Sequence, residues 1–194
     1  TATPMRALLE ALPAPDKINF ITALPALYQR VTNKAEALQA VDNALADALK
    51  NPDLAPAAWT TIGRMRLQQG DRTGALVAAT LGLNAGAGSE WPALLALQLF
   101  SGTDETQAEP LIKRYLSGAD AKPEVQVGYV RALLDRGRRT DARAQAGTLV
   151  QRWPQYPDGW LLQGLLDADD RQDAPAETAL KRYLDLLASP DAQA

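Results

Sequence analysis

The sequence predicts an all-α fold, an α-α superhelix in which antiparallel helix pairs stack into a solenoid. Three observations predict it. First, PAAWTTIG at 56–63 returns as PDGWLLQG at 157–164, so Pro56, Trp59 and Gly63 match Pro157, Trp160 and Gly164 at an offset of 101 residues. Second, a shorter period runs inside that offset. Ala75, Ala108, Ala142 and Ala176 lie 33, 34 and 34 apart, Pro123 and Pro157 lie 34 apart, and IKRYL (112–116) matches LKRYL (180–184) at 68, twice the period. Third, apolar residues recur at helical spacing, and no segment shows the two-residue alternation of a strand. A short unit of this kind cannot bury its oily side alone, so copies must stack.

Taken in order, the elements are these. An N-terminal helical segment is predicted over 1–21. Its opening, TATPMRALLEALP, reads as the inside of a longer chain, so the 194 residues are expected to be a trimmed or mature piece of one solenoid spanning 1–194. A degenerate unit follows over 22–55. Within it NKAEALQAVDNALADALKNP (33–52) begins with Asn33 and Glu36 in capping-box spacing and ends at Asn51-Pro52. Ala35, Leu38, Val41, Leu45 and Leu49 fall on one face of that helix.

The next unit, 56–88, is split by LQQGDRTGAL. Gly70 stops one helix, Asp71 caps the next, and a new apolar period begins. The unit 89–122 is weaker and rests on Leu95, Ala96, Ala108, Ile112 and Tyr115. The unit 123–156 turns at Gly137 within LLDRGRRTDARA, and 157–190 closes the series. Prolines 56, 123 and 157 stand where a second helix ends and a first helix begins, a position that tolerates a missing N–H. Gly63, Gly164 and the alanine series leave room for close helix approach. Trp59 and Trp160 are expected to fill the space between neighbouring units.

Composition narrows the chemistry. The chain has no cysteine and no histidine. Thiol chemistry, disulfides, the usual zinc sites and histidine triads are thereby excluded, and no metal or other cofactor is expected. The net charge of -3 is spread along the chain, which argues against nucleic acid as a partner. No apolar run reaches the roughly 18 residues of a membrane span, and no charged-then-apolar signal segment opens the chain.

Several short clusters have a bland reading beside a chemical one. GAGSE (86–90) contains G-x-G but follows a helix and lacks a third glycine, so it reads as an inter-repeat loop rather than a phosphate loop. DADDRQD (167–173) has Gln172 and Thr178 where a calcium loop wants glycine and glutamate, so it reads as a solvated helix end before a helix led by Pro175. DRGRRTDAR (135–143) could bind an acidic segment. It reads more simply as an exposed turn offset by Asp135 and Asp141. The two KRYL runs are expected to bury Tyr115 and Tyr183 and to solvate their Lys-Arg pairs. Ser89, Ser101, Ser117 and Ser189 are the only serines, and nothing groups a nucleophile, a base and an oxyanion donor, so no catalytic residue is expected.

The chain resembles the tetratricopeptide repeat (TPR) family over about residues 22–190. That family has a 34-residue period with Trp, Leu-Gly, Tyr, Ala, an aromatic, Ala and Pro in order. Trp59, Ile62, Gly63, Gly70 and Ala75 carry the pattern in one copy. Tyr129, Gly137, Ala142, Ala146 and Pro154 carry it in another, and Trp160, Gly164 and Ala176 in the last. The stretch from LPALYQR through LKRYLDLL is also similar to exported repeat proteins of Gram-negative bacteria. That resemblance implies a periplasmic or envelope location, with the cytoplasm as the alternative.

The resemblance implies a protein-binding scaffold whose first helices line a concave groove that takes a peptide or partner protein. In family register the partner-facing residues are Thr60, Arg64 and Leu67, Leu97 and Phe100, Val127, Arg131 and Leu134, and Leu161 and Leu165. Arg64 and Arg131 hold equivalent positions, and a guanidinium fork suits a carboxylate or a carbonyl. The lysines and asparagines of the family's carboxylate clamp are missing at these positions, which argues against chaperone C-terminal tails. The alternative role is assembly, in which the solenoid ends self-associate or pack within a larger envelope protein.

Overall fold

The computed structural model describes residues 11–29, 43–102 and 105–188. Among these residues there is no strand, and the fold is the predicted all-α one, built of antiparallel helix pairs of the α-α solenoid class. The chain divides into two compact units, Thr1–Ala121 and Lys122–Ala194.

The first unit holds α1 (Ala14–Gln29), a helical segment over 43–48, and the pairs α2 (Ala55–Gln68) with α3 (Arg72–Ala85) and α4 (Glu90–Ser101) with α5 (Glu105–Leu116). α2 packs on α1, α3 and α4, and α5 packs on α3 and α4. The second unit holds α6 (Pro123–Asp135) with α7 (Arg139–Arg152) and α8 (Pro157–Asp169) with α9 (Asp173–Ala188). There α8 lies against α6, α7 and α9. The expected start of the first repeat at Thr22 falls inside α1, which runs unbroken across it. The capping box at Asn33 and Glu36, and Ala35, Leu38 and Val41, lie outside the described residues. Leu45 of that stretch is buried.

Local chemistry explains the hairpin turns. Pro56, Pro123 and Pro157 open α2, α6 and α8, where the missing N–H costs nothing. α2 ends at Gly70 in the left-handed region, φ +81°. The Asp71 N–H then returns to the Arg66 carbonyl at 2.9 Å, and the Asp71 side chain accepts from the Gly74 N–H at 2.8 Å. One residue pair thus closes one helix and caps the next. Gly137, φ +70°, turns α6 into α7 in the same way, with the Arg138 N–H on the Leu133 carbonyl. The α8–α9 turn uses the same bond, from the Gln172 N–H to the Asp167 carbonyl, but its left-handed residue is Arg171 at φ +56°. A side chain there costs about 1–2 kcal/mol relative to glycine.

The packing of the pairs is close. A Cβ on Gly63 would strike the Leu95 side chain of α4. One on Gly82 would come within 2.7 Å of the Pro92 ring, and one on Gly164 within 2.8 Å of Leu180. Tyr115, Phe100, Ile21 and Leu24 are fully buried in the first unit, as are Tyr129, Leu133 and Leu149 in the second. Trp59 and Trp160 are half-buried, not enclosed as expected, and the Trp160 indole N–H donates to the Pro154 carbonyl at 2.9 Å. The large buried rings are therefore tyrosines and a phenylalanine, while Trp59 and Trp160 are only half-buried, and at Trp160 the polar edge finds an acceptor.

Buried polar groups are matched. Thr61 donates from α2 to the Ile21 carbonyl of α1 at 2.9 Å, and the Gln126 amide donates to the Gln145 backbone and side-chain oxygens across α6 and α7. In the second unit a charge network clasps α7 to the α8–α9 turn. Arg143 pairs with the buried Asp167 and with Asp170, and Arg139 pairs with Asp169 at 3.1 Å and Asp170 at 2.8 Å. Gln163 donates to both Asp167 oxygens. DRGRRTDAR and DADDRQD are thus partners, not separately solvated turns. The bonds to Asp170 and then Asp169 hold the Arg139 guanidinium above its ordinary pKa.

Candidate functional site

The first unit presents a groove between α1, α2 and α4. Thr22 and Ala26 come from α1, Arg64, Leu67 and Gln68 from α2, and Gln98 from α4. Its volume is about 550 Å³, within the range of ligand clefts. The helices place these side chains by spacing alone: 64, 67 and 68 are neighbours on one helix face, as are 22 and 26. Leu67 and Ala26 supply apolar wall, while the Gln68 and Gln98 amides supply donors and acceptors.

Among the described lining residues, Arg64 is the charged one. It is half-buried, and its guanidinium carbon lies 6.0 Å from the Trp91 ring centroid. Burial holds it below the usual arginine pKa. Among the described residues it has no carboxylate and no hydrogen-bond acceptor, so its five N–H donors face the groove or the Trp91 ring. A partly desolvated, unanswered guanidinium gains most from an incoming carboxylate or carbonyl.

Arg131, its counterpart in the second unit, is 60% exposed and stands 3.8 Å from the Asp158 carboxylate. Leu134 and Leu161 are half-buried and Leu165 is 51% exposed, so this unit offers an apolar strip with one arginine at its side. Tyr156 lies nearby, its phenol raised above its ordinary pKa first by burial and then by Glu124 and Asp158.

Three residues expected at the surface are interior. Thr60 is fully buried and donates to its own helix at the Pro56 carbonyl, 2.9 Å away. Phe100 is fully buried, and Val127 is 5% exposed. The physical reason is that a first helix in a stack is contacted on two sides, by its own second helix and by the next first helix. The free strip is therefore narrower than an i, i+4, i+7 stripe. Leu97 is half-buried. Gln68, Gln98, Thr22 and Ala26 were missed. Gln68 and Gln98 carried a signal, each lying one residue past an expected position. Thr22 and Ala26 carried none, because the unit over 22–55 is too degenerate to set a register on α1.

No protein-family model matches the sequence, and no curated protein is similar enough to match it. Among solved structures, YrrB, described as a TPR protein with an unusual peptide-binding site, superposes with a TM-score of 0.53. The match covers 99% of this chain and 96% of YrrB at 17% identity. The chain has the tetratricopeptide repeat fold. In TPR terms α2, α4, α6 and α8 are first helices, and α3, α5, α7 and α9 are second helices. No described helix is long and apolar enough to cross a membrane.

Along the outer side of α5 a second groove is lined by Glu105, Thr106, Glu109, Pro110, Lys113, Arg114 and Ser117. Its charges already have partners: Lys113 meets Glu109 at 2.8 Å, and Arg114 donates to the Asn84 side-chain oxygen at 2.8 Å. Arg182, the match of Arg114 in the last pair, donates to Gln155. The KRYL arginines tie one pair to the next rather than offering a free basic stripe.

Proposed function

We propose that this TPR chain is a non-catalytic protein-interaction scaffold, and that its first unit takes a peptide segment bearing a carboxylate into the α1–α2–α4 groove. The observation that carries the reading is Arg64: half-buried, in a groove, with no acidic partner among the described residues. Its fork fixes the register of the acidic side chain, Leu67 and Ala26 contact a flanking apolar residue, and Gln68 and Gln98 serve the peptide backbone. The peptide-binding site named for YrrB supports a peptide as the class of partner. Leu97 would add a contact for a longer segment in the first unit, while Arg131, Leu134, Leu161 and Leu165 would offer a separate surface on the second. Similarity to exported Gram-negative repeat proteins supports the periplasm or envelope as the compartment.

Selection of displayed random dodecapeptides on the wild-type chain tests this. Enriched sequences are expected to carry Asp or Glu beside an apolar residue. Arg64→Ala is expected to weaken them about 10- to 100-fold, the loss of one charge-assisted hydrogen-bond set, while Arg131→Ala leaves them within about threefold. Equal binding by the wild-type and Arg64→Ala chains would overturn the reading.

A second reading, assembly through the solenoid ends, is favoured by one observation. Leu184 and Leu187 of α9 are 60% and 45% exposed.

A further inference from the structure

The alanine series at 75, 108, 142 and 176 steps by 33, 34 and 34 residues and so fixes one register for the whole chain. In that register Arg64 of α2 corresponds to Arg131 of α6. The residue that opens the next first helix corresponds too: Trp91 of α4 in the first unit matches Gly159 of α8 in the second. The two arginines differ as these neighbours do. Arg64 is half-buried, with its guanidinium carbon 6.0 Å from the Trp91 ring centroid. Arg131 has no ring in that place, is 60% exposed and stands 3.8 Å from Asp158. A long cationic side chain keeps its head in water unless something holds it.

The ring is itself fixed without a ligand. Trp91 packs half-buried against the cluster that includes Ile21, Leu24 and Ala58. Its neighbour Pro92 sits so close to α3 that a Cβ on Gly82 would come within 2.7 Å of the proline ring. The first turn of α4 is thus pinned, and an indole has only two torsions left to order.

We infer that Trp91 is the positioning residue of the groove: its ring holds the Arg64 guanidinium at the wall, ready for an incoming carboxylate. This rests on the carboxylate reading above and adds what makes Arg64, rather than Arg131, the anchor. A guanidinium can lie against a ring and still offer N–H donors to an acid, because the two contacts use different parts of the group. The cost of ordering the arginine is met in the free chain, so the ligand does not bear it.

The probe is an acetylated, fluorescein-labelled dodecapeptide from the selection above, titrated with the full chain by anisotropy. Trp91→Leu is expected to weaken it about 3- to 10-fold, whereas Trp91→Phe, which keeps a ring, stays within about twofold of wild type. In the Arg64→Ala chain, or with the peptide's acid replaced by its amide, Trp91→Leu is expected to change binding less than about 1.5-fold. A ring acting only as apolar wall would cost the same in every background. Nuclear Overhauser contacts between the Arg64 δ protons and the Trp91 ring in the wild-type chain need no variant to fold, and they are expected to persist at peptide saturation. No loss in Trp91→Leu, a loss unchanged by removing Arg64, no rescue by Trp91→Phe, or contacts that vanish on binding overturns the positioning role and leaves the carboxylate reading standing. Failure to enrich any acidic peptide, or Arg64→Ala without effect, overturns both.

Discussion

Arg64 and Arg131 stand in the same register, yet one is half-buried over Trp91 with no ion-pair partner among the described residues and the other is exposed beside Asp158. The two units differ throughout in this manner. The first is held by close apolar contact: Gly63 on Leu95, Gly82 on Pro92, and Ile21 and Leu24 among Leu45, Ala48 and Ala58. The second is held in part by charge, with Arg139 and Arg143 bound to Asp167, Asp169 and Asp170. Repeat register therefore sets where a side chain points but not what it does. The role comes from the acids that neighbouring turns supply, as Asp158 does for Arg131.

The largest expected effect lies in the charged clasp. Arg143→Ala leaves Asp167 buried without its cation and is expected to lower unfolding stability by about 3–5 kcal/mol. The paired change Arg143→Met with Asp167→Leu is expected to recover most of it. Denaturant titration measures both, and a loss below 1 kcal/mol for Arg143→Ala would mean the clasp is surface decoration. Next comes Gly82→Ala in the first unit. The rigid Pro92 ring cannot give way, so a loss of about 1–3 kcal/mol is expected. Gly147→Ala in the second unit is its counterpart. Nothing lies within 4 Å of the new Cβ, and thermal unfolding is expected to show a gain of about 0.5–1 kcal/mol from helix propensity. The smallest effect belongs to Arg171→Gly. It relieves the left-handed strain but loosens the unfolded chain, for a net gain of up to about 1 kcal/mol.

Much of the fold was legible because its signals are local. A glycine in the left-handed region, an aspartate at a cap and a proline at a helix start are each decided by a few backbone atoms, so the turns at Gly70 and Gly137 could be read directly. The α8–α9 turn could not be read this way. Its backbone bond forms regardless of residue type, and Arg171 bears the strain without advertising it. The clasp was illegible for a different reason. DRGRRTDAR carries four arginines against two aspartates and DADDRQD four aspartates against one arginine, but charge excess alone does not name a partner, and only the pairing of α7 with α8 brings them together over 24 to 31 residues of sequence.

The candidate site was legible in part. Register placed Arg64 and Leu67 in the groove. It could not say that Thr60, Phe100 and Val127 turn inward, since that depends on how tightly one first helix packs on the next. Nor could it find Thr22 and Ala26, whose helix lies outside the clear repeats.

The most direct measurement is a double-mutant cycle by calorimetry between Arg64 and the acidic residue of a selected peptide. It uses Arg64→Ala in the chain and Glu→Gln in the peptide. A coupling of about 1.5–3 kcal/mol is expected, the worth of a hydrogen bond to a charged group, with none when Arg131→Ala replaces Arg64→Ala. A coupling near zero at Arg64, or an equal one at Arg131, would contradict the claim that the first unit holds the anchoring cation.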